Sequence, residues 1–285
     1  RFYLAVWYAW KRLLSCSMRA LQLSTPHSPL HLVELPLPTP HPNSVLLRVR
    51  ACGVCHTDLH IVEGDLPPKK LPITPGHQVV AVVEQVGSGV TVPKIGDRVG
   101  VPWLHTACGV CEFCQRGEEN LCDHARITGW DVDGGYADYL LADESALVPI
   151  PSAFSDVDAA PLLCAGIVGY RSLVKSDLQP GERLGIFGFG ASGHIALQVA
   201  RYWDCPVSVF TRSETHRALA RSLGAEWAGP AEASPPHPLD RAIIFAPAGW
   251  LVPLALGQLR KGGTLAINAI HTSPIPQMKY DLLYW

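Results

Sequence analysis

Leu184-Gly185-Ile186-Phe187-Gly188-Phe189-Gly190-Ala191-Ser192-Gly193 decides the architecture of the chain's second half. The first four residues read as a short buried strand, and glycines at 188, 190 and 193 follow in Gly-x-Gly-x-x-Gly spacing. Such glycines permit a tight turn, let the backbone approach a pyrophosphate and allow a helix to lie close against a strand. Ile195, Ala196, Val199 and Ala200 then recur at helical spacing, which puts the phosphates at a helix N-terminus. Alone the glycine pattern is weak, because a ligand-free tight turn uses the same residues. A strand before it, a helix after it and a further strand at 207–210 make it strong.

Apolar strands at 241–245 and 264–268, with helical spacing between them, extend this into βαβ units on a parallel sheet. The Pro- and Ala-rich stretch 230–238 reads as a surface loop within it. Before residue 151 the pattern differs: short strands at 45–49, 79–86, 98–101 and 136–141, broken by Pro and Gly, read as an irregular β domain. The fold class is α/β with two domains, a first over 18–153 and a Rossmann domain over 154–271. Residues 1–17 read as an extension outside the fold, and 272–285 as the start of a segment returning to the first domain.

Composition supports a globular chain. Of 285 residues, 48% are apolar and 17% charged, enough to bury a sizeable core. The formal net charge of −2 gives no reason to expect nucleic acid or acidic lipid as partner. The apolar run from Phe2 to Trp10 is too short to span a bilayer, and Lys11-Arg12 lies on the wrong side for a signal peptide. A membrane-surface anchor is the alternative reading of that run. The expectation is a cytoplasmic protein with no membrane partner. Nine cysteines without a secretion signal then point to metal ligation rather than disulfides.

Cys108-x2-Cys111-x2-Cys114-x7-Cys122, with Gly109 and Gly117 to turn the chain, fits a tetrahedral zinc site with four thiolate ligands. Such a site has no open position and serves structure. Glu112, Gln115, Arg116, Glu118, Glu119 and Asn120 make the lobe too polar for a core, and it lacks the basic face of a nucleic-acid-binding zinc ribbon. Elsewhere Cys55 and His77 stand on separate loops as candidate ligands, although a lone histidine is as readily a hydrogen-bonded core residue.

Cys55-His56-Thr57-Asp58-Leu59-His60, Gly76-His77, the four-cysteine lobe, Gly134-Gly135-Tyr136 and Cys164 occur together in an order and spacing that resembles the zinc-dependent alcohol dehydrogenases of the medium-chain family. The resemblance implies a GroES-like catalytic domain ahead of the Rossmann domain, and a catalytic zinc on Cys55, His77 and Cys164. Two thiolates and one imidazole would balance the metal's charge and leave a fourth position open. It further implies that Thr57 passes a proton outward to His60, that Asp58 orients His77, and that His56 contacts the cofactor pyrophosphate. The segment Ala269-Ile270-His271 would lie near the nicotinamide. Cys52 and Cys205 match no ligand position and read as buried small hydrophobes. One departure stands out, because Gln78 follows the ligand histidine where the family usually carries glutamate.

For the cofactor, the strand at 207–210 ends in Thr211-Arg212-Ser213, without the carboxylate that would hold the ribose hydroxyls of NAD(H). A hydroxyl and a guanidinium suit a 2′-phosphate, and Glu214 lies past the strand end in a helix first turn, so NADP(H) is expected over NAD(H). The expected activity is hydride transfer between that cofactor and a small primary alcohol or aldehyde, with two zinc ions per chain in a homo-oligomer, a dimer or tetramer. Trp103 is a candidate pocket residue and equally a structural one. The alternatives are a same-fold reductase for cinnamyl-type or polyol substrates, and a zinc- and dinucleotide-binding protein made inert by Gln78 or by truncation. The sequence stops at Trp285, and the last strand of the parallel sheet and the returning segment are expected beyond it.

Overall fold

The structure, a computed structural model, describes residues 17–270 and 272–283. The expected extension therefore lies outside the described residues except for Ser17, which already belongs to the first strand. His271 is also outside them. The chain divides into two compact units between Cys164 and Ala165.

The first unit is built on β1 (Ser17–Gln22), β2 (His31–Pro36), β3 (Ser44–Cys52), β4 (Val79–Val86), β5 (Arg98–Val101), β6 (Leu104–Thr106), β7 (Arg126–Ile127), β8 (Tyr139–Asp143) and β9 (Val148–Pro149). Its helices are α1 (His56–Val62), α2 (Glu112–Gln115) and α3 (Asp156–Ala159). Five strands form an antiparallel sheet in the order β8-β3-β4-β5-β9, while β1–β2 and β6–β7 pair separately. Val45, Leu47, Val79, Ala81, Val83, Val99, Val101 and Leu140 form its core. They are the inward members of the Pro- and Gly-broken strands expected for this half.

One register matters for function. β3 and β4 are antiparallel with Cys52 opposite Val79, so the chain leaves β3 and enters β4 at the same end of the sheet. That pairing brings the loops that carry Cys55 and His77 to one end of the sheet. Two register shifts, between Leu46 and Leu47 and between Val49 and Ala51, interrupt the ladder toward this end, as bulges do where a sheet must bend. A third piece arrives from α3, whose N-cap Ser155 accepts from the Asp158 N–H at 3.1 Å. α3 continues into a 3-10 turn over Ala160–Leu163 that ends at Cys164. Ala159, Ala160 and Leu163 pack on Val80 of β4, so this turn belongs with the first unit, past the boundary expected at 153/154.

The second unit contains β10 (Leu184–Phe187), β11 (Val207–Phe210), β12 (Trp227–Gly229), β13 (Leu239–Ile244) and β14 (Leu259–Ile267). With them run α4 (Ala165–Lys175), α5 (Ala191–Tyr202), α6 (Glu214–Ser222), α7 (Leu251–Gln258) and α8 (Tyr280–Leu283). The five strands are parallel in the order β12-β11-β10-β13-β14, the doubly wound arrangement expected. Every residue of β10 and β11 is buried, as a sheet covered on both faces requires. Ile186, Val209 and Ile243 face α4 and α5 through Leu173, Ala196 and Leu197, whereas Phe187, Phe210 and Ile244 join α7 through Leu251 and Ala255. The strand expected at 264–268 is the second part of the longer β14, and β12 is too short to announce itself by periodicity. The stretch 230–238 is the irregular connection from β12 to β13. Among the described residues no single helix is long and apolar enough to cross a membrane.

Leu163 is 5% exposed and holds the turn before Cys164 against β4. Leu163→Ala should lower unfolding stability by about 2–5 kcal/mol, seen as a lower urea midpoint at unchanged m-value.

Candidate active site

Cys55, at the N-cap of α1, begins the site. Its backbone N–H donates to Asp58 Oδ2 at 2.9 Å, and Asp58 lies buried one turn into the helix at 4% exposure. The same oxygen accepts from the Tyr136 hydroxyl at 2.8 Å, while Asp58 Oδ1 accepts from the Gly76 N–H at 3.2 Å and sits 3.0 Å from His77 Nδ1. One carboxylate thus holds the loops of Cys55 and His77 and the segment of Tyr136. With Nδ1 occupied by Asp58, Nε2 is the His77 nitrogen left to face the thiols. Cys164 completes the group, and the donor atoms of Cys55, His77 and Cys164 all lie within 4.8 Å of one another.

The titrations follow this geometry. Hydrogen bonding by Cys164, and then by His77, pulls the Cys55 thiol down to about 4 against the effect of burial, and Cys164, as the partner that keeps the proton, is pushed up. Burial opposes charge on His77, but Asp58 and Cys55 raise it to about 9. Burial likewise opposes ionisation of Asp58, yet His77, Cys55 and Tyr136 hold its carboxyl below the usual carboxylate range. The three groups thus shift one another's proton affinity, as close packing of two thiols, an imidazole and a carboxylate requires.

Glycine is required at two nearby positions. Gly76 has φ +98°, and a Cβ there would lie 2.7 Å from Tyr136 Cδ1. A Cβ on Gly134 would meet the Gly76 carbonyl oxygen at 2.1 Å. The two backbones pass too close for any side chain, which accounts for Gly134-Gly135 ahead of Tyr136. Thr57 Oγ1 lies 3.7 Å from Cys55 Sγ. His60 follows one turn later with Nδ1 3.0 Å from Asp65 Oδ2, and the His56 ring stands edge-on to it with centroids 4.9 Å apart. Gln78 is 3% exposed and its Oε1 has no hydrogen-bond partner among the described residues. Its side chain lies against Gly53, where a Cβ would be 3.1 Å from Gln78 Cβ.

The four cysteines of the lobe also converge, with their sulfurs within 4.8 Å of one another. Backbone N–H groups point at them: Cys108 N and His124 N toward Cys122 Sγ, and Cys111 N toward Cys108 Sγ, each at 3.4 Å. Hydrogen bonds from the Val110 and Cys111 amides bring Cys108 down to about 6. Cys205 is buried in the second unit's core at 1% exposure. Cys52 is half-buried beside the first cluster, with its thiol pushed up by burial to about 12. Trp103 is half-buried, and its carbonyl accepts from the Thr128 N–H at 2.9 Å.

In the second unit the three fingerprint glycines do separate work. Gly188 has φ +95° and a Cβ there would meet the Ala246 nitrogen at 2.7 Å; on Gly193 it would meet the Gly188 carbonyl oxygen at 2.6 Å. Gly190 caps α5, and a Cβ there would have nothing within 4 Å. The first and third glycines pack the turn, and the middle one fronts open space at a helix N-terminus. At the end of β11, Thr211 N–H donates to the Gly229 carbonyl at 2.9 Å, and Arg212 is exposed. Ser213 caps α6 by accepting from the His216 N–H. Ile270 is 57% exposed, following Asn268, whose N–H donates to the Ile244 carbonyl at 2.9 Å.

The family profile for the alcohol dehydrogenase GroES-like domain matches residues 41–152. Over 276 residues the chain is 48% identical to a probable alcohol dehydrogenase, AdhA, of Mycobacterium tuberculosis, covering 94% of this chain and 80% of that one. A cobalt- and zinc-bound thermostable alcohol dehydrogenase of Pyrobaculum aerophilum superposes with a TM-score of 0.85 at 29% identity, over 94% of this chain and 81% of the other. The CAD of Helicobacter pylori complexed with NADP(H) gives 0.83 at 27% identity, over 90% and 76%. The chain belongs to the zinc-dependent alcohol dehydrogenases of the medium-chain family.

In this alcohol dehydrogenase, Cys55, His77 and Cys164 converge, as do the four lobe cysteines, and Asp58 stands where it can orient His77. Tyr136 stands out in the sequence only as part of a motif. Its hydroxyl, aimed at a buried carboxylate from 78 residues away, has no local signal. Asp58→Asn keeps the shape but loses the charge that holds His77, and should weaken zinc retention by about 10- to 100-fold in competition with a chromophoric chelator. Tyr136→Phe, which removes one of four donors to Asp58, should cost only about 0.5–1.5 kcal/mol of stability.

Proposed function

We propose that the chain is a reversible alcohol dehydrogenase or aldehyde reductase for a small primary alcohol or its aldehyde. It holds one zinc on Cys55, His77 and Cys164 and a second on the four lobe cysteines, and prefers NADP(H) to NAD(H). The convergence of two thiols and an imidazole on one point, with the imidazole fixed by a buried carboxylate, carries this reading. Such a donor set suits zinc: two thiolates and a neutral imidazole balance its charge, and three protein donors leave a tetrahedral position open. Four thiolates in the lobe close every position there. When bound, zinc supplies Lewis acidity toward the substrate oxygen, and the nicotinamide a hydride acceptor or donor.

The chain's own residues then handle the proton. The Thr57 hydroxyl, next to the Cys55 sulfur, takes the alcohol's proton and hands it outward. Thr57 and His60 are three residues apart and so share a face of α1. With Nδ1 engaged by Asp65, His60 Nε2 is the nitrogen that can receive the proton and release it to solvent. His56 contributes to the cofactor pyrophosphate, and Gly188, Gly190 and Gly193 let the phosphates reach the start of α5. Ile270 would flank the nicotinamide.

Cofactor choice rests on the end of β11. The nearest acid, Glu214, is exposed and forms ion pairs with Arg217 Nε at 3.0 Å and an Arg221 terminal nitrogen at 3.2 Å, so its charge is already shared with two guanidinium groups. Arg212 makes no ion pair among the described residues and, with Thr211, is available to a 2′-phosphate. A second reading, a zinc- and dinucleotide-binding protein without turnover, draws on Gln78, an uncharged residue with an unpaired buried oxygen two positions from Gly76. Thiols in both clusters suit a reducing compartment such as the cytoplasm.

The test is NADPH oxidation with a panel of short aldehydes, on protein whose zinc content is measured in the same sample. Turnover at two zinc ions per chain is the expected result; two zinc ions without turnover on any aldehyde would favour the binding-protein reading. Arg212→Ala should raise KM for NADPH by about tenfold or more, the loss of one charge-assisted contact, and leave KM for NADH nearly unchanged. An equal effect on both cofactors would remove Arg212 from 2′-phosphate recognition.

A further inference from the structure

Outside both cysteine clusters, the C-terminal end of α1 gathers a different set of donors. His60, Glu63 and Asp65 bring one nitrogen and two carboxylate oxygens within 4.8 Å of one another. Helix and turn build this arrangement. Glu63, the C-cap of α1, follows His60 by three residues and so lies on the same face. Gly64, at φ +76°, then turns the chain, and Asp65 reaches back until its Oδ2 is 3.0 Å from His60 Nδ1. The His60 side chain is only 13% exposed, and the His56 ring against its edge limits its rotation.

The charges of this group are incompletely balanced. Glu63 makes no ion pair among the described residues, and Asp65 pairs only with His60, whose charge depends on a proton. Two carboxylates within 4.8 Å of one another repel. A divalent cation would reverse the sign of that interaction. The imidazole argues for a borderline first-row ion, zinc or nickel, over magnesium or calcium, which prefer oxygen throughout.

We propose that His60, Glu63 and Asp65 form a third, surface site for a first-row divalent cation, distinct from the two cysteine clusters. Water fills its remaining positions, so the ion exchanges readily. The site does not depend on the role given above to His60 in proton transfer, because it is defined by metal uptake alone.

Nickel(II) is the probe, used with zinc-loaded, full-length protein that carries no histidine tag. Equilibrium dialysis followed by metal analysis should find one nickel per chain on the unaltered protein. The double substitution Glu63→Gln with Asp65→Asn should weaken that uptake by about tenfold or more, since even changes to groups behind a ligand have effects of this size. Both residues are more than half exposed or cap a helix end, and circular dichroism with unchanged zinc content checks that the variant is folded. Bound nickel should also protect His60 from carbethoxylation, read by mass spectrometry, in the unaltered protein and not in the variant. Equal nickel uptake by the two proteins would overturn the proposal. So would a thiolate-to-nickel charge-transfer band accompanying uptake, since it would assign the ion to the cysteines.

Discussion

The site depends on a single buried carboxylate. Asp58 collects the Cys55 amide, the Gly76 amide, the Tyr136 hydroxyl and the His77 imidazole. A charge removed from water is tolerable only when donors replace the lost hydration, and four donors on two oxygens do so. The consequence is geometric as well as energetic. Three segments that are far apart in sequence must stay where they can reach one residue, and two of them carry the thiol and imidazole that face Cys164. The convergence of the thiol and the imidazole is thus set by a hub that stands outside the group of three donors.

The sheet makes that hub possible. Antiparallel pairing of β3 and β4 returns the chain to the end from which it left, with Cys52 opposite Val79, and the intervening excursion has room for α1 and the return to His77. Cys164 reaches the place by another route, on a turn whose apolar residues press on β4 at Val80. Two kinds of force therefore bring the three side chains together: backbone pairing and the Asp58 hydrogen bonds for Cys55 and His77, and apolar packing for Cys164. In the second unit the analogous constraint is close approach. A Cβ on Gly188 or Gly193 would collide with backbone, whereas one on Gly190 would occupy open space, so each glycine is required for a different reason.

Much of this is legible in the sequence where the signal is local. The glycine fingerprint behind 184–187 and the four closely spaced cysteines both depend on residues near one another, and periodicity and spacing report such features well. The joining of Cys55, His77 and Cys164 is not available from spacing and comes from resemblance, because it rests on sheet register and on a turn that packs across the unit. The role of the Tyr136 hydroxyl is likewise not available from spacing. A hydrogen bond between residues 78 positions apart leaves no trace in local pattern. The turn 160–163 reads in the sequence as part of the second domain, because its helical spacing runs on into that of α4, while its burial is against β4.

Gln78 shows where local consistency gives way. Among the described residues its buried Oε1 has no hydrogen-bond partner, where buried acceptors are nearly always satisfied. Glutamate, which the family usually carries here, would place a further negative charge at this buried position. Like charges close together in a buried site raise one another's pKa. The amide avoids that repulsion at the cost of an unpaired oxygen, and keeps the side chain against Gly53 in a space with little room for rearrangement. With zinc in place the balance reverses, because a nearby negative charge would then be attracted to the ion and would dampen its pull on substrate oxygen. The expectation from this exchange is a more strongly polarising metal and no built-in competing anion. Such a change would be one of reactivity, set by one oxygen exchanged for an NH2 group, while Asp58 keeps its hold on His77.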